Sequence, residues 1–221
     1  SQLSPDGQWM SFMKPYNGAR NIWVKGADEP FDAAQPATAD ERPVPGYFWS
    51  RDSKYLLYVQ DKEGDENFHV WAVNPSAKDE AETGVPSARD LTPVAGVRAQ
   101  ILSVPKNAPG TIMVGLNDRD PSYHDIYRVD INTGERTLLR KNEEGVGFWA
   151  FDNMGELRLA YRPTPGGGAE LLRVDMQGLH QLATSTYEED MFPAGFHPNG
   201  KQCYVQTNRG DVDLQQLMLM D

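Results

Sequence analysis

Short apolar and aromatic runs alternate with polar turns along the whole chain, and one combination of turn and strand recurs. It first reads Ser-Pro-Asp-Gly at residues 4–7, followed by an apolar run at 9–13, and similar stretches begin at Ser50, Phe151 and His197. Proline fixes φ, aspartate or asparagine bonds its own backbone, and glycine accepts a positive φ, as a tight hairpin requires. The β-branched and aromatic residues behind each turn suit a pleated strand. The pattern therefore predicts a repeated β-hairpin.

The spacing of the turns gives the length of the repeat. The marker residues of the five turns are Gly7, Ser53, Gly110, Gly155 and Gly200, which lie 46, 57, 45 and 45 residues apart. A second strand is centred sixteen to eighteen residues after each marker, at Trp23, Trp71, Tyr127, Leu172 and Leu217. A paired signal of this kind recurs by chance much less often than a lone turn. It predicts a repeat of about 45 residues with one long insertion.

Each repeat contains two further strands. A short strand follows the second one at 89–92, 136–139 and 180–183, and an apolar strand precedes the marker at 46–49, 99–104, 146–151 and 191–196. Four antiparallel strands in roughly 40 to 50 residues are typical of a β-propeller blade. The chain is therefore predicted to be all-β, a propeller of four-stranded antiparallel blades. About five blades are present, in repeat units at approximately 1–45, 46–98, 99–145, 146–190 and 191–221. A β-sandwich of short strands is the alternative, and it requires no fixed period.

The register of the repeat also predicts an incomplete unit at each end. The first unit holds only residues 1–4 of its innermost strand, and the fifth ends at Asp221 with its third strand. An unsealed ring would expose strand edges and apolar faces. We therefore expect these blades to be part of a larger propeller with seven or eight blades. A closed ring of five blades that lacks one outer strand is the alternative.

Composition narrows the classes of partner. The chain has 221 residues, a formal net charge of −11 and a single cysteine, Cys203. Without a basic cluster it has no surface for nucleic acid or for an anionic membrane, and no apolar run approaches the roughly 18 residues of a membrane span. The protein is therefore predicted to be soluble, and the bacterial periplasm and the cytoplasm both stay open as its location. Cys203 lies in a strand pattern, which favours a packed core thiol.

One loop carries a resemblance to a known family. It reads Asp-Lys-Glu-Gly-Asp-Glu-Asn at residues 61–67 and leads into the strand of Trp71. With the Pro-Asp-Gly hairpins, it resembles the N-terminal propeller of the prolyl oligopeptidase family of serine peptidases, in the dipeptidyl and acylaminoacyl peptidase-like branch. The hairpins are shared with TolB-like propellers that have no enzymatic activity, whereas the Gly-Asp-Glu-Asn loop favours the peptidases. The resemblance implies a propeller that covers the active site of a C-terminal α/β-hydrolase domain and restricts entry to short peptides.

The catalytic residues of that family are absent from this sequence. Its nucleophile needs a Gly-x-Ser-x-Gly elbow, and none of the 20 glycines has a serine two positions later. The four histidines have no metal-ligand spacing, and we interpret them as structural or surface groups: His69, His124, His180 and His197. The chain is predicted to contain no catalytic residue, metal site or cofactor of its own. Catalysis would come from its hydrolase domain, its expected partner.

Two acidic stretches are the candidate substrate-binding residues. Asp65 and Glu66 lie in the loop at 61–67, and Glu188 and Glu189 precede an inner strand. Carboxylates can bind the free amino terminus of a peptide through charge-assisted hydrogen bonds. A solvated hairpin loop is the alternative for the first stretch. A stand-alone TolB-like propeller that binds another protein is the alternative function for the whole chain.

Two other polar loops are predicted to be structural. The loop that contains Asp118, Arg119 and Asp120 is interpreted as an internal ion pair and a turn. The three glycines at 166–168 resemble a phosphate-binding loop in composition only, because no Lys-Ser/Thr pair or helix follows them. They are expected to form the tip of a hairpin.

Overall fold

The computed structural model describes residues 1–210 and 213–221 and arranges them in five antiparallel sheets. The first sheet contains β1 (Gln2–Leu3), β2 (Trp9–Tyr16), β3 (Ala19–Gly26) and β4 (Gln35–Pro36), with a short 3₁₀ helix at Phe31–Ala33 before β4. The second contains β5 (Tyr47–Trp49), β6 (Leu56–Gln60), β7 (His69–Val73) and β8 (Ala88–Asp90). The third contains β9 (Ala99–Ser103), β10 (Thr111–Asp120), β11 (Tyr123–Asp130) and β12 (Arg136–Arg140).

The fourth sheet contains β13 (Phe148–Phe151), β14 (Leu157–Pro163), β15 (Ala169–Asp175) and β16 (Gly178–Ser185). In the described residues the fifth sheet has three strands, β17 (Met191–Phe196), β18 (Cys203–Thr207) and β19 (Gln216–Met220). Each sheet follows the chain order of its strands, so each is a simple meander. These sheets confirm the prediction of an all-β protein with about five blade-like units. The β-sandwich alternative is wrong, because the strands form five sheets and not two.

The recurring hairpin forms through its own side chains. Ser4 Oγ accepts a hydrogen bond from the Trp9 backbone N–H at 3.0 Å and donates to the Asp6 carboxylate at 2.5 Å. Ser50 repeats this arrangement, accepting from the Tyr55 N–H at 3.0 Å and donating to Asp52. The serine and the aspartate thereby satisfy backbone groups that a tight turn leaves free. The prediction of a repeated hairpin is confirmed.

The third marker behaves differently from the others. Four of the five marker residues have left-handed φ angles between +62° and +84°, but Gly110 does not. Its turn is closed by the Thr111 N–H, which donates to the Ala108 carbonyl at 3.0 Å, and the Gly110 carbonyl accepts from the Ile131 N–H at 2.9 Å. Gly110 therefore closes its turn without the positive φ of the other four marker residues. A longer connection after β9 removes the need for a positive φ.

The hydrophobic core lies between successive sheets. One cluster joins the first and second sheets around Ile22 and Trp49, and another joins the second and third around Leu57 and Val114. Two more clusters continue the series between the third, fourth and fifth sheets. Cys203 is buried in the last of these, where burial raises the pKa of its thiol. The prediction of a packed core thiol is confirmed.

The strand connections lie at two opposite ends of each sheet, because consecutive strands run antiparallel. We call the end with the connection between the first and second strands the turn end, and the other end the loop end. Turn ends of neighbouring sheets touch: the Asp6 N–H donates to Ser53 Oγ at 3.0 Å, and Asn153 Nδ2 donates to the Phe196 carbonyl at 3.1 Å. The loop end therefore carries every connection between the second and third strands and every connection between sheets.

A matched pair of glycines tests the contact between turn ends. Gly155 has φ +84°, and an added Cβ would lie 2.5 Å from Pro105 Cβ of the preceding sheet. We expect Gly155→Ala to reduce the free energy of unfolding by about 2–3 kcal/mol, through the left-handed φ and overpacking. Gly7→Ala is the control, with φ +73° and nothing within 4 Å of the added Cβ, and should cost about 1 kcal/mol. Equal losses in denaturant unfolding would contradict a tight contact at Gly155.

Candidate functional site

The acidic loop at residues 61–67 connects β6 to β7 at the loop end of the second sheet. Its first carboxylate, Asp61, is 7% exposed and pairs with Arg42 Nε at 3.2 Å. Asp61 Oδ2 also accepts the Glu66 backbone N–H at 3.3 Å. Arg42 lies close over Gly64 as well, since a Cβ built there would be 2.8 Å from its Nη1. Asp61 is therefore an internal counter-ion that fixes the loop against the connection from the first sheet.

The candidate residue Asp65 is exposed and helps to shape the same loop. Its carboxylate accepts the Asn67 backbone N–H at 3.0 Å and the Asn67 side-chain amide at 3.2 Å. These hydrogen bonds, the backbone one first, lower the pKa of Asp65, so the group stays ionised at neutral pH. Glu63, Gly64 and Glu66 have left-handed φ angles of +56°, +86° and +60°. The turn therefore presents the exposed side chain of Glu66 beside the Asp65 carboxylate, which already accepts two hydrogen bonds from Asn67.

The second candidate pair lies in the connection from β16 to β17. Glu188 is exposed and accepts the Tyr187 hydroxyl at 2.9 Å, and the half-buried Glu189 accepts the Thr186 N–H at 3.2 Å. Asn208 Nδ2 donates to the Glu188 carbonyl at 3.2 Å, which anchors this connection to the end of β18. The carboxylate of Glu188 therefore stands at the surface on a fixed backbone.

Both candidate pairs lie at the loop end of their sheets, although they are not in contact. One loop follows the second strand of the second sheet, and the other connection leads into the first strand of the fifth sheet. Within residues 1–210 and 213–221, no hydrogen bond or ion pair joins Asp65 or Glu66 to Glu188 or Glu189. The arrangement can place negative charge at two separate positions of one surface. It does not form a single carboxylate cluster.

A further set of polar groups braces the 61–67 loop against the third sheet. The Phe68 carbonyl accepts the Ala99 N–H at 2.8 Å, and the Arg98 guanidinium lies 5.8 Å from the centre of the Phe68 ring.

Burial, together with the charge of Arg98, lowers the pKa of His124. His124 is therefore a neutral, shielded imidazole at neutral pH, in accord with a structural role.

The sequence did not reveal which acid pairs with Arg119 at the loop end. Arg119 donates to both carboxylate oxygens of Asp125 at 2.8 Å and to the Asn142 carbonyl at 2.8 Å. Asp125 is 1% exposed and also accepts the Asn142 backbone N–H at 2.7 Å. An internal ion pair was expected in this loop, but its acid is Asp125 and not a neighbour of Arg119. The position of Asp125 directly before the apolar Ile126 was the one feature of the sequence that could have indicated this acid.

The glycines at 166–168 form a hairpin between β14 and β15, as expected. The Thr164 N–H donates to the Gly168 carbonyl at 2.8 Å, and the Gly167 N–H donates to the Thr164 carbonyl at 3.0 Å. Across the described part of the chain, His, Cys, Asp and Glu side chains form no group of three or more that could hold a metal ion. No helix in those ranges has the length and apolar character of a transmembrane segment.

The sequence of this chain is similar to two curated peptidases over most of its length. Over 212 residues, which are 95% of this chain and 30% of the relative, the sequence is 39% identical to dipeptidyl aminopeptidase BIII of Pseudoxanthomonas mexicana. This chain is homologous to the propeller region of the dipeptidyl aminopeptidase and prolyl oligopeptidase family. Dipeptidyl peptidase family member 6 of Caenorhabditis elegans is 31% identical over 75% of the chain and 22% of its own length. The chain thus spans less than a third of each relative. No protein-family model matches it.

Solved structures establish the propeller fold independently of that identity. Prolyl oligopeptidase B from Galerina marginata superposes with a TM-score of 0.60 at 11% identity, over 97% of this chain and 33% of that one. TolB from Acinetobacter baumannii superposes with a TM-score of 0.53 at 17% identity, over 99% of this chain and 50% of that one. Both kinds of propeller expected from the hairpins therefore share the fold. At such identities the likeness extends to the fold alone.

Proposed function

We propose that the chain is the non-catalytic propeller portion of a serine peptidase that hydrolyses short peptides. In this proposal it docks on the α/β-hydrolase domain of its own protein and limits which substrates reach the active site. The observation that carries the proposal is the 39% identity to a dipeptidyl aminopeptidase across 95% of the chain. The absence of a Gly-x-Ser-x-Gly elbow within the 221 residues agrees with a catalytic nucleophile that lies elsewhere.

The loop end supplies the groups proposed to meet a substrate. Glu66 and Glu188 expose their carboxylates on backbones that hydrogen bonds to Asp61 and Asn208 fix, and Asp65 and Glu189 lie beside them. A peptide with a free amino terminus carries a positive charge that such carboxylates bind. We propose that one or both pairs contact this terminus, which distinguishes free from blocked peptides.

The proposal is tested on the natural gene product from its source. We would measure its intact mass and label it with a serine-directed fluorophosphonate. A labelled protein larger by roughly 250 residues, the size of an added domain, supports the peptidase. An unlabelled protein of 24.7 kDa would contradict it and favour a stand-alone binding propeller of the TolB kind.

Neutralising the first acidic pair is expected to affect peptides with free amino termini selectively. In the full-length protein, Asp65→Asn with Glu66→Gln should lower kcat/KM for a free dipeptidyl substrate by about tenfold and leave an amino-blocked peptide almost unchanged. The amide at position 65 keeps an oxygen for the Asn67 N–H, so the turn survives while the charge is lost.

The control for this variant removes the same charge from the opposite end. Glu135→Gln with Glu156→Gln changes two exposed carboxylates at the turn end, and it should leave both substrates unaffected. A comparable loss for free and blocked peptides would exclude the 61–67 loop from the substrate site. The labelling result would then still decide between peptidase and binding propeller.

A further inference from the structure

A cavity of about 190 Å³ lies between the connection that follows β4 and a long excursion between β7 and β8. We call this excursion, residues 74–87, the 74–87 arm. It folds back on itself, since the Glu80 N–H donates to the Val85 carbonyl at 2.9 Å and Asp79 bridges to Pro86. The Tyr16 hydroxyl of the first sheet donates to the Thr83 carbonyl at 3.3 Å, which holds the tip of the arm in place. The arm thereby forms an outer wall of the cavity.

The walls of this cavity combine aromatic rings with carboxylates. Tyr58 and Trp71 come from adjacent strands of the second sheet, where they are direct cross-strand partners. Asp40 and Glu80 come from the connection and from the arm. Two acids and no lysine or arginine are among the residues that line the cavity, so the cavity carries negative potential.

Asp40 differs from the other shielded carboxylates of the protein in lacking a counter-ion. Asp61 pairs with Arg42, and Asp125 pairs with Arg119. Within the described ranges, Asp40 forms no ion pair with any lysine, arginine or histidine. Its carboxylate is half-buried and faces the Tyr58 hydroxyl and the Gln60 amide. Burial raises its pKa, and the hydrogen bond from Tyr58 opposes that rise. A positively charged group in the cavity would supply the missing partner.

Trp71, which lines the cavity, holds a second unsatisfied polar group. Its Nε1 is buried and donates to no acceptor in the described part of the chain. Buried donors without a partner are uncommon in folded proteins and cost free energy.

We propose that this cavity binds the guanidinium or ammonium group of a basic peptide residue, with its side chain against the half-buried Trp71 and its charge paired with Asp40. Aromatic faces attract such cations, and the attraction grows where water is excluded. The site involves neither of the acidic pairs at the loop end, so it does not depend on the proposed peptidase function.

The test compares a charged ligand with its neutral isostere. The protein is labelled with 5-fluorotryptophan, and the ¹⁹F resonance of Trp71 is assigned from its disappearance in Trp71→Phe. Titration with Nα-acetylarginine methylamide should shift this resonance and saturate at millimolar concentration. The citrulline analogue has the same shape without the charge, and it should bind at least about tenfold more weakly. Equal shifts with both ligands, or no shift with either, would overturn the proposal.

Variants locate the binding at Asp40. Asp40→Asn should weaken the arginine derivative by about tenfold or more, because it removes the paired charge. Glu82→Gln is the matched control, since it neutralises an exposed carboxylate of the 74–87 arm that does not line the cavity. This variant should bind the arginine derivative as tightly as the wild type does. The ¹⁹F resonances of the four other tryptophans report whether each variant keeps its fold. Unchanged affinity in a folded Asp40→Asn variant would overturn the site.

Discussion

Asp125→Ala is expected to lower the free energy of unfolding by about 3 kcal/mol, because it removes the shielded acceptor of three hydrogen bonds, two of them from a charged guanidinium. Asp125 is 1% exposed, and its carboxylate accepts two hydrogen bonds from Arg119 and one from the Asn142 backbone. The alanine would leave the backbone N–H of the buried Asn142 without an acceptor. For a chain of this size we expect the Tm to fall by roughly 6–12 °C, measured by circular dichroism.

The control and the pH dependence identify the cause of this loss. Glu143→Ala removes the same charge from an exposed neighbour of Asn142, and it should change the Tm very little. The hydrogen bonds from Arg119, and to a lesser extent that from Asn142, lower the pKa of Asp125 in the folded protein. Its contribution is therefore complete above about pH 4, the pKa of an unfolded aspartate, and is lost as the pH falls through the lowered value. A difference between wild type and Asp125→Asn that persisted unchanged at pH 2 would contradict this role.

Local features of the fold could be predicted because their partners are close in sequence. The hairpins at Ser4 and Ser50 are closed by atoms no more than five residues apart, so the residue types alone specify them. The strand centres followed from their fixed distance after each turn, and Trp71 lies at the centre of β7. Gly110 is the exception among the five turns, because its turn closes through the Thr111 N–H without a positive φ.

Contacts between distant segments could not be predicted in the same way. Asp118 and Asp120 are the nearest acids to Arg119 in sequence, but the arginine pairs with Asp125 across the hairpin of β10 and β11. Arg42 reaches Asp61 from the preceding sheet, which only the packing of two sheets can bring about. In the candidate site, composition indicated exposed carboxylates at Asp65 and Glu66. The use of Asp65 in its own turn emerged from the structure, and the substrate role of both residues stays a prediction.

Trp49→Ala is expected to lower the free energy of unfolding by about 4 kcal/mol, which is at the upper end of the range for truncated core side chains. Trp49 is 5% exposed and packs with Ile22 and Tyr58 in the core between the first and second sheets. Its loss would leave a cavity between sheets that cannot close without moving one of them. We expect the Tm to fall by roughly 8–16 °C. Trp23→Phe is the control, because it removes an exposed indole hydrogen bond to the Lys14 carbonyl but keeps an aromatic ring beside Lys14 and Tyr16 of the same sheet.

A double-mutant cycle separates the hydrogen bond of Trp49 from its packing. The Trp49 indole N–H donates to Ser11 Oγ of the preceding sheet at 2.8 Å, and the Trp149 indole likewise donates to the His124 carbonyl of the sheet before it. Because Ser11 is fully buried, we expect Trp49→Phe and Ser11→Ala to couple by about 1 kcal/mol. Such coupling would mean that a directional bond fixes the relative position of adjacent sheets, which apolar packing alone leaves free to slide. Additive losses would instead mean that the sheets are held by burial alone, and the repeated indole contact would then have no energetic role.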